Sequence, residues 1–420
     1  MFAPFFMQLF PSFVSLGLFI LGCYLVTVAF IAREGWRNMK FSMPLFLWML
    51  VGCFAVGSAY WNSSFNGWVS FAVLGCAVMG VLLTAFPSWP AAALRVVLSY
   101  SLVHVCATLF FFMVPSAYDA LIAPRFFTQS AGATGYASAL TAHYSYNAFF
   151  GVLCLLAALS YVFATKNRRV RWVYILVCVG AFSAVLLTGK RAHLVFGLIA
   201  VLSIVAVSNI RGRVAKLTGL LLLAVGGAFV LARFVPAAAD SLDRLLGTFE
   251  SSDVADATSG RTFLWRFAYE GWKEEPLLGH GWGSYLFVWP GGSVSVHAHN
   301  AFMHLLYEVG VIGLVLILAA VISAFWSAAV SVRRARATAS YPLSDSLYFA
   351  FAVQVFMIVY AFTSGELVSN IYIAIPYLMC VAIVAARSGA VTELWKEAPE
   401  SPSASHERAG RSHVTSTVAV

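Results

Sequence analysis

Two short stretches of the sequence concentrate side chains that bind anions or transfer protons. In the first, LLTGKRAHLVFG, Lys190, Arg191 and His193 lie in a turn between two apolar runs. A charge beside hydrocarbon is costly unless it has a partner, so an arginine there indicates a functional site. Alternatively, Lys190 and Arg191 only extend to lipid headgroups. We favour the functional interpretation because this turn is predicted to face outward, where the positive-inside bias does not ask for cations.

The second stretch is HAHNAFMHLLYEVGVIGLVLIL, which supplies His297, His299 and His304 together with Asn300 and Glu308. Histidine is suited to proton transfer because its unperturbed pKa is about 6.5. The HxH pair is also a possible metal ligand set, but no third ligand follows at a familiar spacing and HExxH is absent. We predict no metal and no cofactor. The alternative is that these are interfacial histidines without a catalytic role.

A third stretch, SGRTFLWRFAYEGWKEEP, has the pattern of an amphipathic helix. Arg261, Trp265, Tyr269 and Trp272 recur at spacings of four, four and three, so they share one helical face. Tryptophan and tyrosine prefer the interfacial layer of a bilayer. We therefore expect this helix to lie along the outer membrane surface, with its arginine at the depth of a lipid diphosphate.

Other candidates carry weaker signals. Arg125, His143 and Asn147 belong to PRFFTQSAGATGYASALTAHYSYNA, where they either line the same cavity or belong to a polar loop. The glycines of GHGWGS, at 279–284, resemble a phosphate-binding loop, but no strand precedes them and the spacing fits neither a Walker A motif nor a dinucleotide fingerprint. A structural turn is the favoured interpretation of that segment.

Arginines from a hairpin and an interfacial helix, with a histidine at a helix start, suit chemistry on a lipid-linked anion. A guanidinium group binds a diphosphate through a planar fork and stabilises the negative charge of a leaving group. A neutral histidine accepts the proton of an incoming sugar hydroxyl. Together these groups predict glycosyl transfer from a polyprenyl diphosphate, performed outside the cytoplasm.

The elements that must position these residues are membrane helices. Of the 420 residues, 61% are hydrophobic and 10% are charged, against roughly 25% charged residues in a soluble domain. Backbone amides inside a bilayer must be satisfied within their own element, so each apolar run predicts a helix. We predict an all-α polytopic bundle of about 11 to 12 spans, over 11–32, 42–60, 67–86, 92–114, 146–165, 172–189, 193–209, 215–235, 299–331, 346–364 and 369–386.

The net charge of +9 is distributed as topology markers, because most Lys and Arg residues lie in short basic loops between apolar runs or in the tail. They form no continuous stripe, so no nucleic-acid partner is predicted. Placing the basic loops inside puts 115–145 and 236–298 outside, the latter with a second amphipathic piece at 240–249. Residues 1–386 would form the membrane domain and the polar segment 387–420 a disordered cytoplasmic tail.

Three blocks of the sequence resemble the bacterial O-antigen ligase and polymerase superfamily of membrane glycosyltransferases. They are TGKRAHL, SGRTFLWRFAYEGWKEEPLLGHGWGSY and HAHNAFMHLLYEVGVIGL, and they cover about one sixth of the chain. The resemblance implies that Arg191 and Arg261 bind the diphosphate and that His299 activates the acceptor hydroxyl. It also implies a metal-independent, inverting transfer.

Further residues are assigned to substrate binding, although the resemblance offers no clear counterpart for His297. We assign Lys190, Arg266, Arg125, Asn300 and His297 to substrate binding, with Arg266 as the nearest competitor of Arg261. Neither His304 nor His193 receives a role. In length and loop layout the chain is similar to the ligases, which implies undecaprenyl diphosphate-linked O-antigen as donor, lipid A-core as acceptor, and a periplasmic site in the bacterial inner membrane, among membrane lipids.

Three alternatives to a ligase remain open. A polymerase or a protein O-oligosaccharyltransferase would share these motifs. A lipid-linked glycan transporter or flippase would also need an arginine-lined cavity, but it should place cations along a path between helices. The middle regions of the predicted spans are almost free of charge, which favours an enzyme.

Overall fold

The computed structural model describes residues 39–61, 68–122, 138–141, 143–207, 261–288, 295–337, 341–364 and 370–397, with isolated positions elsewhere. Helices form nearly all of this part of the chain, which confirms the predicted all-α membrane bundle. Two predicted spans, 11–32 and 215–235, fall largely outside the described residues. Arg125 and, apart from Asp243, the amphipathic piece at 240–249 also lie outside them.

Nine apolar helices occupy the other nine predicted spans within the described residues. Six of them meet the length and hydropathy of a membrane crossing and three are shorter. Two further helices are short or amphipathic. The apolar helices are α1 (Met43–Trp61), α2 (Trp68–Leu83), α3 (Trp89–Met113), α5 (Tyr144–Ala164), α6 (Arg168–Leu187), α7 (Arg191–Val207), α9 (Ala301–Ala337), α10 (Tyr341–Tyr360) and α11 (Ile371–Glu397); the others are α4 (Pro115–Leu121) and α8 (Thr262–Glu274).

Helix α5 lies at the centre of the bundle, where it packs against α3, α6, α7 and α10. Of its membrane-crossing window, 72% is buried, against 28% for α6. The exposed face of α6 carries Trp172, Val173, Leu176 and Val179, all apolar. In a bilayer such a face contacts lipid tails, so its exposure carries no hydrophobic penalty.

The helices have a defined polarity relative to one another. The start of α9 meets the end of α10, because the Ala301 amide donates to the Ala361 carbonyl at 2.8 Å. The end of α10 also meets the start of α7, since the rings of Tyr360 and His193 lie 4.7 Å apart. The start of α6 and the end of α9 therefore lie at the opposite end of the bundle. Both carry arginines there: Arg168, Arg169, Arg171, Arg333, Arg334 and Arg336.

Three features depart from the prediction. The outer loop contains a short antiparallel ladder of β1 (Phe287–Val288) and β2 (Ser295–Val296), which is too short to give a sequence pattern. Helix α11 runs to Glu397, past the predicted boundary at 386, because good helix formers continue beyond the apolar run. Helix α9 is interrupted at Gly310, whose φ of 60° and ψ of −166° are not helical.

Candidate active site

The turn between α6 and α7 carries Lys190, whereas Arg191 and His193 belong to α7. Gly189 adopts a positive φ of 68°, which permits the sharp turn after α6. The Nζ atom of Lys190 lies 4.0 Å from the centre of the Tyr144 ring, a cation–π contact with the first residue of α5. Arg191 is the first residue of α7 and is half-buried.

His193, which the sequence placed in the turn, instead lies inside α7. Its side chain is 2% exposed, and its ring packs 4.7 Å from Tyr360 and 6.0 Å from Phe356. Neither ring nitrogen has a hydrogen-bond partner among the described residues. This histidine therefore contacts the end of α10 and does not extend the cationic surface of the hairpin.

Helix α8 is amphipathic, as predicted, and it packs against α9. Its protein-facing side includes Leu264 and Ala268, which are 2% and 0% exposed, whereas Tyr269 is exposed. The indole of Trp265 donates from Nε1 to the Ala298 carbonyl at 2.9 Å. This bond ties α8 to the residue that precedes His299.

Arg261 and Arg266 occupy different environments at the start of α8. Arg261 is the half-buried N-cap residue of the helix, whereas Arg266 is exposed. Burial lowers the pKa of Arg261, and the nearby guanidinium of Arg191 lowers it further, while Tyr360 acts in the opposite direction. Arg191 and Arg261 are 70 residues apart in the sequence, but in the fold they lie near enough for their charges to interact.

His299 has a backbone conformation that histidine seldom adopts. Its φ of 51° lies in the left-handed region, which costs a non-glycine residue about 1 kcal/mol or more. Both neighbours are fixed, because Trp265 holds the Ala298 carbonyl and the Asn300 side chain caps α9 by accepting from the amides of Phe302 and Met303 at 3.0 and 3.1 Å. These contacts of the two neighbouring residues hold the His299 imidazole just before the start of α9.

The pKa of His299 depends on its burial and on the charged groups around it. Burial lowers its pKa to about 4, and the next largest contribution comes from Arg261, followed by His297, Lys190 and His143. The structure therefore brings Arg261, Lys190 and His299 into one electrostatic neighbourhood, with Arg191 beside Arg261. Their catalytic and binding roles stay predictions.

The other assigned residues are less uniform. Asn300 uses its side-chain oxygen to cap α9, a structural role that the sequence did not anticipate. His297 is exposed, and its ring lies 5.6 Å from that of His304. The described residues contain no group of three or more His, Cys, Asp or Glu placed to hold a metal ion.

His143 and Asn147 have structural roles that the sequence analysis did not predict. His143 is the N-cap residue of α5, where its Nδ1 atom accepts from the Ser145 amide at 3.1 Å. Its position directly before an apolar run was the available signal for a cap. Asn147 is buried in the first turn of α5 and donates to Thr108 Oγ1 at 2.8 Å, so it is not a loop residue.

The GHGWGS segment forms the structural turn that the sequence favoured, and it docks on the break in α9. The amides of His280 and Gly281 donate to the carbonyls of Tyr307 and Glu308 at 3.0 and 2.7 Å. In return the amides of Val311 and Ile312 donate to the carbonyls of Pro276 and Leu277, at 3.0 and 3.1 Å. Polar groups freed by the break at Gly310 are thus satisfied by the loop that follows α8.

This docking predicts a strong effect of Gly310→Ala. A Cβ atom at Gly310 would overlap the Leu277 carbonyl, and the residue has a positive φ of 60°. We expect the variant to lose at least about 2 kcal/mol of stability, measured as a lower melting temperature in detergent. Gly180→Ala in α6 is the matched control, because its nearest atoms lie at 3.7 and 3.9 Å. Equal melting temperatures for the two variants would contradict this account.

The fold and the site define a multi-pass helical membrane protein with arginine, lysine and histidine side chains gathered at one end of its bundle. Residues 176–318 match the family model described as O-antigen ligase, a stretch that includes Arg191, Arg261 and His299. The chain is also 29% identical over 157 residues to the exopolysaccharide production protein ExoQ of Rhizobium meliloti (strain 1021). These comparisons confirm the resemblance to the O-antigen ligase superfamily.

The similarity to ExoQ is partial in extent. It covers 34% of this chain and 35% of the relative, so the chain matches about a third of the length of that protein.

Proposed function

We propose that this protein is a glycosyltransferase of the O-antigen ligase type, which transfers a glycan from undecaprenyl diphosphate to a sugar hydroxyl of lipid A-core. The observation that carries the proposal is the convergence of Arg191, Arg261 and His299 from three separate stretches of chain. Two cationic forks and one proton acceptor are the groups that transfer from a lipid diphosphate requires.

The two arginines supply the donor-binding half of this chemistry. Like charges held close together repel, and here partial burial increases the cost, as the lowered pKa of Arg261 indicates. A diphosphate between the two guanidinium groups would convert this repulsion into attraction and accept several charge-assisted hydrogen bonds. As the glycosidic bond to the diphosphate breaks, the same groups would stabilise the charge that develops on the leaving oxygen.

His299 supplies the acceptor half. With a pKa of about 4 its imidazole is neutral at physiological pH, so a ring nitrogen is available to accept a proton. The acceptor oxygen would attack the anomeric carbon from the face opposite the diphosphate, and its proton would pass to His299. Inversion at that carbon follows from this in-line arrangement.

An apolar cavity next to the site suits the carrier lipid. It has a volume of about 610 Å³ and lies between α5, α6 and α7. His193 lies on its wall, and the other lining side chains are almost all apolar, among them Leu155, Leu159, Phe182 and Val201. Isoprenoid units would be buried there against α7, the helix that begins at Arg191.

The distribution of charge supports an active site on the periplasmic side of the inner membrane. The arginine-rich start of α6 and end of α9 lie at one end of the bundle, and the candidate site lies at the other. The positive-inside bias assigns the arginine-rich end to the cytoplasm. The site would then face the periplasm, where lipid-linked glycans are joined to their acceptors.

Polymerisation of a polysaccharide is the second candidate function. The similarity to a protein named for exopolysaccharide production favours it. A polymerase would use the same donor chemistry and would differ in the acceptor, a second lipid-linked glycan in place of lipid A-core.

A reconstituted assay separates these possibilities. The purified protein in vesicles would receive a polyprenyl diphosphate-linked glycan together with lipid A-core, a second lipid-linked glycan or an acceptor protein. We expect transfer to lipid A-core, detected as a mass increase on gels, and release of the carrier diphosphate. Elongated lipid-linked glycan would instead identify a polymerase. Absence of transfer in every arm would reject the proposed glycosyltransferase activity.

The pH dependence of this reaction follows from the lowered pKa of His299. With a pKa of about 4, the His299 imidazole remains neutral as the pH falls through 6.5, the usual pKa of histidine. Its neutral, proton-accepting form is lost only near pH 4. We therefore expect kcat/KM, which reports the free enzyme, to hold its value down to about pH 5 and then to fall. An acidic limb centred near about 6.5 would contradict this environment for His299.

A further inference from the structure

We propose that His304 and Glu308 form a proton-accepting pair, which receives through His297 the proton that His299 takes from the acceptor hydroxyl. This inference rests on the proposed glycosyl transfer. It assigns a role to two residues of the third resembling block, to which the sequence analysis gave none.

The pair is buried at the start of an apolar helix. His304 and Glu308 are 2% and 1% exposed, and one turn of α9 separates them. The Nε2 atom of His304 lies 3.1 Å from Oε1 of Glu308. Burying a carboxylate and an imidazole side by side in a membrane protein is costly, and such groups mark proton pathways or binding sites.

The contacts of Glu308 fix which nitrogen of His304 carries the proton. Its Oε1 atom accepts from the Tyr285 amide at 3.2 Å as well as from His304 Nε2. Because the carboxylate accepts, Nε2 is the protonated nitrogen and Nδ1 is left as an acceptor. That Nδ1 atom is buried and has no hydrogen-bond partner among the described residues, and neither does Oε2 of Glu308.

His297 connects this pair to the reaction centre. Its ring centre lies 5.6 Å from that of His304, a gap that one ring rotation or one water molecule bridges. His297 also contributes to the lowered pKa of His299, two residues further on. His297, His304 and Glu308 therefore lead from the neighbourhood of His299 into α9, and His297 is near enough to His299 for the two charges to interact.

The charges around His299 explain why a proton does not stay there. Arg261 of α8, Lys190 of the hairpin, His143 at the start of α5 and His297 all act against a second positive charge there. An imidazolium at His299 would therefore lose its proton readily. On the other side Glu308 is the carboxylate in contact with His304, and the phenols of Tyr285 and Tyr307 are its titratable neighbours.

The proton balance of the relay is simple. His299 takes the proton of the acceptor hydroxyl as the new glycosidic bond forms and the bond to the diphosphate breaks. The proton passes to His297 and then to Nδ1 of His304, while the proton on Nε2 of His304 passes to Glu308. The result is a neutral carboxylic acid at Glu308 and a His304 ring that carries its proton on Nδ1 in place of Nε2. The pair is reset when the proton returns through exposed His297 to water.

The test uses the full-length protein in vesicles with Glu308→Gln and His304→Gln. Both substitutions keep the size of the side chain and remove proton acceptance. At neutral pH we expect transfer to fall by about tenfold or more, with lipid-linked donor binding unchanged. The loss should shrink as pH or the concentration of a small imidazole buffer rises, because solution bases replace the relay. Glu270→Gln on α8, an exposed carboxylate paired with Lys273, is the control and should transfer normally.

Five outcomes are distinguished. A pH- and buffer-dependent recovery in either variant supports the relay. Loss by the same factor at every pH and buffer concentration, with intact donor binding, overturns it in favour of a structural role. Should Glu308→Gln fail to fold, His304→Gln decides alone by the same criterion. If the wild type itself transfers nothing in any acceptor arm, the proposed function fails; an active wild type with unchanged variants overturns only the relay.

Discussion

His299→Ala is expected to lower glycosyl transfer by a factor of about 10² to 10⁴, the range that loss of a positioned general base produces. The imidazole is half-buried and held neutral among cations, and the acceptor hydroxyl would have no equivalent proton acceptor at that position. The measurement is the initial rate of glycan transfer in vesicles, with donor binding measured separately. Binding should persist, because the guanidinium groups remain.

The backbone of His299 dictates the control for this experiment. At a φ of 51°, alanine retains the strain of the left-handed region, whereas asparagine tolerates it well. His299→Asn therefore separates lost chemistry from lost structure, since it keeps the local fold and cannot accept the proton. Both variants should show the same large loss of transfer, and His299→Asn should melt at the wild-type temperature. Wild-type turnover in His299→Asn would remove the base from the mechanism.

The membrane helices were predictable because their signal is long and simple. Apolar runs of about 20 residues leave the backbone no alternative to a helix, and nine of the eleven predicted runs coincide with helices in the described residues. Helix α8 was predictable by the same logic, from Trp265 and Tyr269 on a period of 3.6 residues. Local patterns carry that information without any knowledge of tertiary contacts.

The site was only partly predictable because its geometry depends on contacts between distant residues. No local pattern shows that Trp265 would hold the carbonyl of Ala298, or that this contact would leave His299 at a positive φ. The break at Gly310 was equally hidden, because its partners are the amides and carbonyls of 276–281. The sequence also does not show that His304 and the Tyr285 amide contact the same carboxylate oxygen of Glu308.

Arg261→Gln is expected to separate stability from donor binding, which few substitutions do. In the absence of donor, Arg191 and Arg261 repel each other, and burial makes this repulsion stronger. Removing one charge should therefore leave the melting temperature of the empty protein unchanged or higher. Donor at about 100 times its Kd should stabilise the wild type by about 2.7 kcal/mol, and the variant should lose that gain.

A second variant separates the positive charge of Arg261 from the planar geometry of its guanidinium group. Arg261→Lys keeps a positive charge but cannot offer the planar fork, so we expect it to recover only part of the donor-induced rise in melting temperature. Lys273→Gln, an exposed cation on α8 that pairs with Glu270, is the control and should keep the full rise. Thermal denaturation with and without polyprenyl diphosphate measures all three. An undiminished rise in Arg261→Gln would mean that the diphosphate binds elsewhere, because a half-buried guanidinium in contact with it could not be lost without effect.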